Sequence, residues 1–252
     1  MDIIRFYLKC GLFLFVTIFL APFYFLILFI LFRWRLSVGP RLVRFYSSLC
    51  LMIFRVRVVR TRNHDIFRGI RKGILIISNH QSFLDIFLLS ALFGSVFVSK
   101  AEVRNYPVIG QIAWLMGVIF LKRDSSSERL RVLNTIAESC SNQILAVFPQ
   151  GTTGGTNERL PFNRGIFKVA ELNPGVSLLP VTIHYKDDAE IAWNKPQSLM
   201  ANAKKVCAKK RIDVRVIIHE PFTADDFREK TAAQICQKVQ DMVLDPLNEK
   251  FR

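Results

Sequence analysis

This sequence is short of acid: 20 Asp and Glu stand against 35 Lys and Arg, and Asp2 is the only acidic residue before Asp65. The resulting net charge of +15 calls for an anionic partner, which the count alone leaves as nucleic acid, an acidic membrane surface or a phosphate-bearing substrate. Histidine is scarce as well. There are four, none at ligand spacing to another His or Cys, so no metal site is predicted. The five cysteines, Cys10, Cys50, Cys140, Cys207 and Cys236, are odd in number, scattered and without a C-x-x-C pair, which reads as reduced thiols of a cytosol-facing protein. Internal repeats and low-complexity tracts are missing. So are the Gly-Lys-Ser/Thr of a Walker loop and the G-x-S-x-G elbow of a serine hydrolase.

One absence is more telling than the rest: from Cys10 to Phe32 no residue is charged. As a helix these residues span roughly 34 Å, against a bilayer hydrocarbon core of about 30 Å. The run is too long for a signal-peptide core and is not followed by a small-residue cleavage site, so a retained membrane segment is predicted. Arg5 and Lys9 precede it, and Arg33, Arg35, Arg41 and Arg44 follow, which places the C-terminal side in the cytoplasm. Pro22 leaves two arrangements open, a kinked single span or two short arms entering and leaving one leaflet. A second apolar stretch, Leu49–Phe54, sits between Arg44 and the group Arg55, Arg57, Arg60 and Arg62, a pattern expected at an anionic lipid surface. Phe-rich runs without a nucleic-acid module argue against nucleic acid.

Beyond Asp65 strands and helices alternate, the mark of an α/β fold with a largely parallel central sheet flanked by helices. The predicted organisation is an N-terminal membrane-embedded helical segment with a basic juxtamembrane region over 1–63, a linker near Thr61–Gly73, and an α/β domain over 64–252. Strands are predicted at Ile74–Ser78, Ser95–Ser99, Val118–Lys122, Ile144–Phe148, Leu178–Tyr185 and Ile212–Ile218. Helices are predicted at Ser82–Leu92, at Pro107–Met116, from a Ser125/Glu128 capping box to Cys140, at Arg164–Leu172, and from after Thr223 to about Leu244.

The first chemical candidate is His80 with Asp85, at the end of the first of these strands. Five residues apart on one helix the two would point about 140° apart, whereas a His in the turn and an Asp in the first helical turn can meet. Asp85 would then hold the Nδ1 proton and leave Nε2 to take a proton from a hydroxyl. The plain alternative is a helix N-terminal Asp beside a structural His, and the spacing alone does not decide. Ser82 reads as a local cap, and His64, His184 and His219 as structural. The second candidate is the glycine-rich turn after Phe148, Pro149-Gln150-Gly151-Thr152-Thr153-Gly154-Gly155-Thr156, whose backbone N–H groups can face an anion. Lys122, Arg123, Arg164 and Lys168 stand near strand ends, where open sheets place their binding sites.

Four blocks, in order, resemble the glycerolipid acyltransferase family, the lysophosphatidic acid acyltransferases among them. Asn79-His80-Gln81-Ser82-Phe83-Leu84-Asp85 resembles the N-H-x-S-x-x-D block, and Gly117-Val118-Ile119-Phe120-Leu121-Lys122-Arg123 the G-x-I-F-I-x-R block. Phe148-Pro149-Gln150-Gly151-Thr152 resembles F-P-E-G-T, and Leu179-Pro180-Val181 the closing proline block; Phe162-Asn163-Arg164-Gly165-Ile166-Phe167 resembles a further F-K-x-G-x-F segment. The resemblance covers about Gly73–Tyr185. It implies a membrane-bound O-acyltransferase of phospholipid synthesis or remodelling, its active site facing the cytoplasm. His80 and Asp85 would be catalytic, and Arg123, Gln150, Gly151, Thr152, Arg164 and Lys168 would bind substrate. It implies no cofactor beyond a thioester co-substrate, acyl-CoA or acyl-carrier protein, and as partners membrane lipids and a lysolipid acceptor, with no nucleic acid.

Two positions depart from the pattern. Gln150 replaces the usual glutamate and Thr153 stands where many members carry arginine, which loses a charge and a phosphate contact. A lysophospholipid such as lysophosphatidic acid is the expected acceptor. A lysolipid with a larger head group, an aminoacyl lysolipid, and a catalytically silent lipid-binding protein are the alternatives.

Overall fold

The computed structural model describes residues 2–30, 35–62, 72–106, 109–115, 118–121, 126–156, 158–194 and 197–251. Lys122, Arg123, Ser125, Pro107, His64 and most of the expected linker lie outside the described residues. A seven-stranded sheet forms the centre: β1 (Val56–Arg62), β2 (Ile74–Ser78), β3 (Val96–Lys100), β4 (Ile119–Leu121), β5 (Ile144–Val147), β6 (Ser177–Tyr185) and β7 (Ile212–Ile218), in the order β1-β7-β6-β2-β5-β3-β4. All neighbours pair parallel except β6 with β7, so the sheet is mostly parallel with two reversed strands at one edge.

Central β2 shows why the strands read as unbroken apolar runs. Ile74 and Ile76 join one core, with α2 (Arg35–Phe54), α3 (Leu84–Phe93) and α8 (Leu199–Ala208). Leu75 and Ile77 point the other way, into a second core with α5 (Ser126–Cys140), α6 (Lys168–Leu172) and α10 (Ala232–Leu244). Both faces are covered, so alternation brings no polar residue. The remaining helices are α1 (Asp2–Ile30), α4 (Ile109–Leu115), α7 (Asp188–Ile191) and α9 (Ala224–Glu229).

Two sequence expectations are corrected. The helix after Thr223 is two, α9 and α10, because the chain breaks at Lys230 and Thr231 starts afresh with a capping box to Gln234. The Arg164–Leu172 helix opens as a 3-10 turn over Arg164–Phe167 before α6 begins. Leu49–Phe54 closes α2, with Cys50, Leu51 and Phe54 buried and Met52 exposed.

The N-terminal region also differs. Pro22 lies within one continuous α1, so the chain does not turn back there. The return is made by α2, which runs antiparallel beside α1: Thr17 Oγ1 meets Tyr46 Oη at 2.7 Å, and the Phe13 and Phe54 rings lie 5.6 Å apart. Arg5 and Lys9, read from sequence as flanks of a membrane span, instead satisfy helix ends. Lys9 Nζ donates to Phe54 O at the end of α2 (3.1 Å) and to Lys209 O just past α8 (2.7 Å), and Arg5 donates to Ala208 O (3.0 Å). Terminal helix carbonyls carry partial negative charge and draw cations. The start of α1 is thereby held on the α/β domain. Its outward face exposes Ile4, Leu8, Leu12, Phe15, Phe19, Phe23, Leu26 and Ile30, a continuous apolar stripe at helical spacing. Asp2–Tyr24 is long and apolar enough to cross a membrane, with mean hydropathy 2.0.

Candidate active site

β2, β5 and β6 run parallel, so their C-terminal ends open on one edge of the sheet. Past Ser78 the strand cannot continue its ladder, and Asn79 substitutes for it: its side-chain Nδ2 donates to Ile183 O and its Oδ1 accepts from Ile183 N, both at 2.8 Å. His80 follows. Its backbone N–H donates to Gln150 Oε1 (2.8 Å), its carbonyl accepts from Gly154 N (3.0 Å), and its ring stacks on Phe148, centroids 3.9 Å apart and planes within 6°. The glycine-rich turn therefore grips His80 from both sides.

Asp85 occupies the first turn of α3 and is fully buried. Its Oδ2 accepts from His80 Nδ1 (2.8 Å), Gln81 N (2.7 Å) and Ser82 N (2.8 Å), while Oδ1 accepts from Tyr185 Oη (2.7 Å). These bonds satisfy a carboxylate that burial would otherwise penalise. Tyr185 remains a donor, because burial, and after it the Asp85 charge, raises its phenol well above the ordinary value. Since the carboxylate only accepts, His80 carries its proton on Nδ1 and Nε2 keeps a free lone pair. The encounter needs His80 outside the helix and Asp85 inside it, and that is the arrangement found. Ser82 is fully buried, its Oγ 3.4 Å from Leu84 N.

The other two described histidines sit differently. Arg215 Nη2 donates to His184 Nδ1 (3.0 Å), and burial first, then the Arg215 charge, lowers the pKa of His184. Thr182 gives its hydroxyl proton to Val243 O (2.8 Å), so it accepts from His219 Nε2 (2.8 Å), and burial pushes His219 down to about 4. Among the described residues only His80 has a ring nitrogen bonded to a carboxylate.

Beside His80 opens a cleft of about 290 Å³, lined in part by Gln81, Gln150, Gly154, Glu158, Arg159 and Asn248. Gln81 Nε2 donates to Thr156 Oγ1 (2.9 Å) and to Asp188 Oδ1, Thr156 N donates to Asp188 Oδ2 (2.8 Å), and Thr153 Oγ1 donates to Trp193 O (2.6 Å). Arg159 bonds Asp241 (3.0 Å) and Asp245 (2.6 Å), fastening the turn to the end of α10. Gly151 has φ +71, a left-handed conformation that favours glycine. Of the expected binding residues, Gln150 lines the cleft, Gly151 and Thr152 lie on the turn outside its lining, and Arg164 and Lys168 are exposed and also outside it. Arg123 follows β4 and lies outside the described residues. Sequence reasoning missed Tyr185, Glu158, Arg159 and Asn248. Only Tyr185 left a signal, as a hydroxyl-bearing residue at the end of a largely apolar strand.

A family model described as Acyltransferase matches residues 55–184. The chain is 32% identical over 176 residues to the lyso-ornithine lipid O-acyltransferase of Pseudomonas aeruginosa, covering 68% of this chain and 67% of that protein. It is 28% identical over 261 residues to the lyso-ornithine lipid O-acyltransferase of Brucella abortus, covering 95% and 94%. The 1-acyl-sn-glycerol-3-phosphate acyltransferase of Neisseria meningitidis is 28% identical over 149 residues, 57% of this chain, and the match spans 58% of that relative's length. For its counterpart in Neisseria gonorrhoeae the match spans 46% of the relative. The crystal structure of the 1-acyl-sn-glycerophosphate (LPA) acyltransferase from Thermotoga maritima superposes with a TM-score of 0.71 at 21% identity, covering 98% of this chain and 96% of that one, which shows the same fold.

Proposed function

The chain belongs to the acyltransferase family, and we propose that it moves a fatty acyl group from an acyl thioester, acyl-CoA or acyl-carrier protein, to the free hydroxyl of a lysolipid. The observation that carries this reading is the His80 Nδ1 to Asp85 Oδ2 bond of 2.8 Å, which leaves Nε2 as a base. Nε2 takes the hydroxyl proton as the oxygen attacks the thioester carbonyl. The C–S bond then breaks, and the imidazolium returns the proton to the leaving thiolate. Asp85 stabilises the imidazolium through the shared proton, and Tyr185 and the two backbone N–H groups hold Asp85 in place. No acyl-enzyme is required, in keeping with the burial of Ser82. No cofactor beyond the thioester is invoked.

A lysophospholipid of the lysophosphatidic acid type is one acceptor for such a site. An aminoacyl lysolipid is favoured by a specific observation: Gln150 Oε1 and Thr153 Oγ1, at the two positions that depart from the family pattern, are spent on His80 N and Trp193 O. The alignment with the Brucella abortus lyso-ornithine lipid O-acyltransferase over nearly the whole of both chains supports the same reading. The apolar stripe of α1 supports a membrane location, with the α/β domain on the cytoplasmic side.

His80→Ala should lower acyl transfer from a labelled thioester at least about hundredfold while vesicle co-sedimentation is unchanged. Full retained transfer overturns the mechanism.

A further inference from the structure

The chain carries a net charge of +15, but among the described residues the cleft beside His80 is lined by a single cation and a single anion, Arg159 and Glu158. The Arg159 guanidinium is bonded to Asp241 and Asp245. Glu158 lies against Gly154, its Oε2 2.9 Å from where a side-chain carbon on that glycine would stand, and forms no ion pair with any described residue. Asp188 stands behind Gln81.

Gln81 adds an independent observation. It is 2% exposed, and its amide orientation is fixed because Asp188 can only accept, so Nε2 must face Asp188 and Thr156. Oε1 is left as a buried acceptor with no donor among the described residues. An unmet buried acceptor of this kind is unfavourable until a donor reaches it. Both the Glu158 carboxylate and the spare lone pairs of Gln81 ask for the same thing, a cationic hydrogen-bond donor.

We propose that this cleft is a head-group subsite for a primary ammonium on the acceptor, bound between the Glu158 carboxylate and Gln81 Oε1. The proposal rests on the lysolipid acyltransferase reading and gives it a substrate class. An ammonium has three donors and no acceptor, so it can meet Gln81 Oε1 and Glu158 together, whereas a phosphate would bring further acceptors toward a carboxylate. Its place beside His80 lets one acceptor present its hydroxyl to Nε2 while its head group fills the cleft.

The test uses the full chain in detergent with three acceptors: an aminoacyl lysolipid with a free ammonium, the same lipid N-acetylated, and lysophosphatidic acid. N-acetylation should raise KM about tenfold or more, the low end expected for a charged hydrogen bond. Glu158→Gln should raise KM for the ammonium acceptor by a similar factor and erase most of the discrimination between the two aminoacyl forms. Equal KM values for these two forms in the wild type, or a Glu158→Gln effect that is the same on both, would overturn the subsite. Acylation of lysophosphatidic acid with neither aminoacyl form accepted overturns the subsite and leaves the transferase reading standing. Inactivity toward all three acceptors overturns both.

Discussion

His80 and His184 lie toward the C-terminal ends of two neighbouring parallel strands, and their Nδ1 atoms meet opposite charges. Nδ1 of His80 gives its proton to a buried carboxylate; Nδ1 of His184 receives one from a buried guanidinium. The first ring can accept a second proton on Nε2 while Asp85 holds the one on Nδ1. The second would set a cation against Arg215, and so stays neutral. The same residue type on adjacent strands thus becomes a base in one place and a structural acceptor in the other, and the partner charge decides which.

The sharpest way to break this contrast is Asp85→Asn. An amide in place of the carboxylate can offer its NH2 to Nδ1 and impose the wrong tautomer, so kcat/KM should fall about a thousandfold or more with little change in KM for the donor. A loss of only a few fold would mean that His80 does not act through Asp85.

Tyr185→Phe should have a smaller effect, because it removes one of four bonds to Asp85 and leaves the proton on Nδ1. Loss of a hydrogen bond to a buried charge corresponds to about 1.5–3 kcal/mol of stability, read as a lower denaturation midpoint at constant m-value. Activity in the remaining folded protein should drop about tenfold. An unchanged midpoint would show that Tyr185 only fills space.

The neutral side of the contrast is tested by pH. His219 and His184 have lowered pKa values in the fold, so the unfolded chain binds protons that the native state refuses. Their contribution to stability is fully present above the ordinary value of 6.5 and is lost as pH falls below it, for His219 through about 4. His219→Gln should flatten part of that slope in chemical denaturation curves. A slope identical to wild type would mean that His219 is not held neutral by burial.

The sequence was most legible where the causes are local. β2 and β7 were predicted to the residue, β2 as an unbroken apolar run that ends at a polar turn and β7 as Ile212, Val214 and Val216 alternating with Asp213 and Arg215. His80 and Asp85 were legible because one turn of chain brings them together. β1 was missed: in Val56-Arg57-Val58 the alternating arginines read as juxtamembrane, whereas Arg57 pairs with Asp213 on β7 and the strand forms a sheet edge. The walls of the cleft were out of reach for the same reason, since Glu158, Arg159 and Asn248 meet His80 only through the tertiary fold. Arg164 and Lys168 stand on the turn and helix that follow the glycine-rich turn, and both are exposed. The break between α9 and α10 was readable in retrospect, from Thr231 and Gln234.

Edge strand β1 also has a consequence for the birth of the protein. Among the described strands its one neighbour in the sheet is β7, and Arg57 and Asp213 are 156 positions apart in the chain. At usual translation speeds that interval takes on the order of ten to thirty seconds. Until β7 and the end of α8 have left the ribosome, Lys9 lacks the Lys209 carbonyl and β1 lacks its ladder. The apolar α1 helix is therefore synthesised well before the Lys209 carbonyl that Lys9 binds, and during that interval a nearby bilayer has no complete α/β domain to compete with for it.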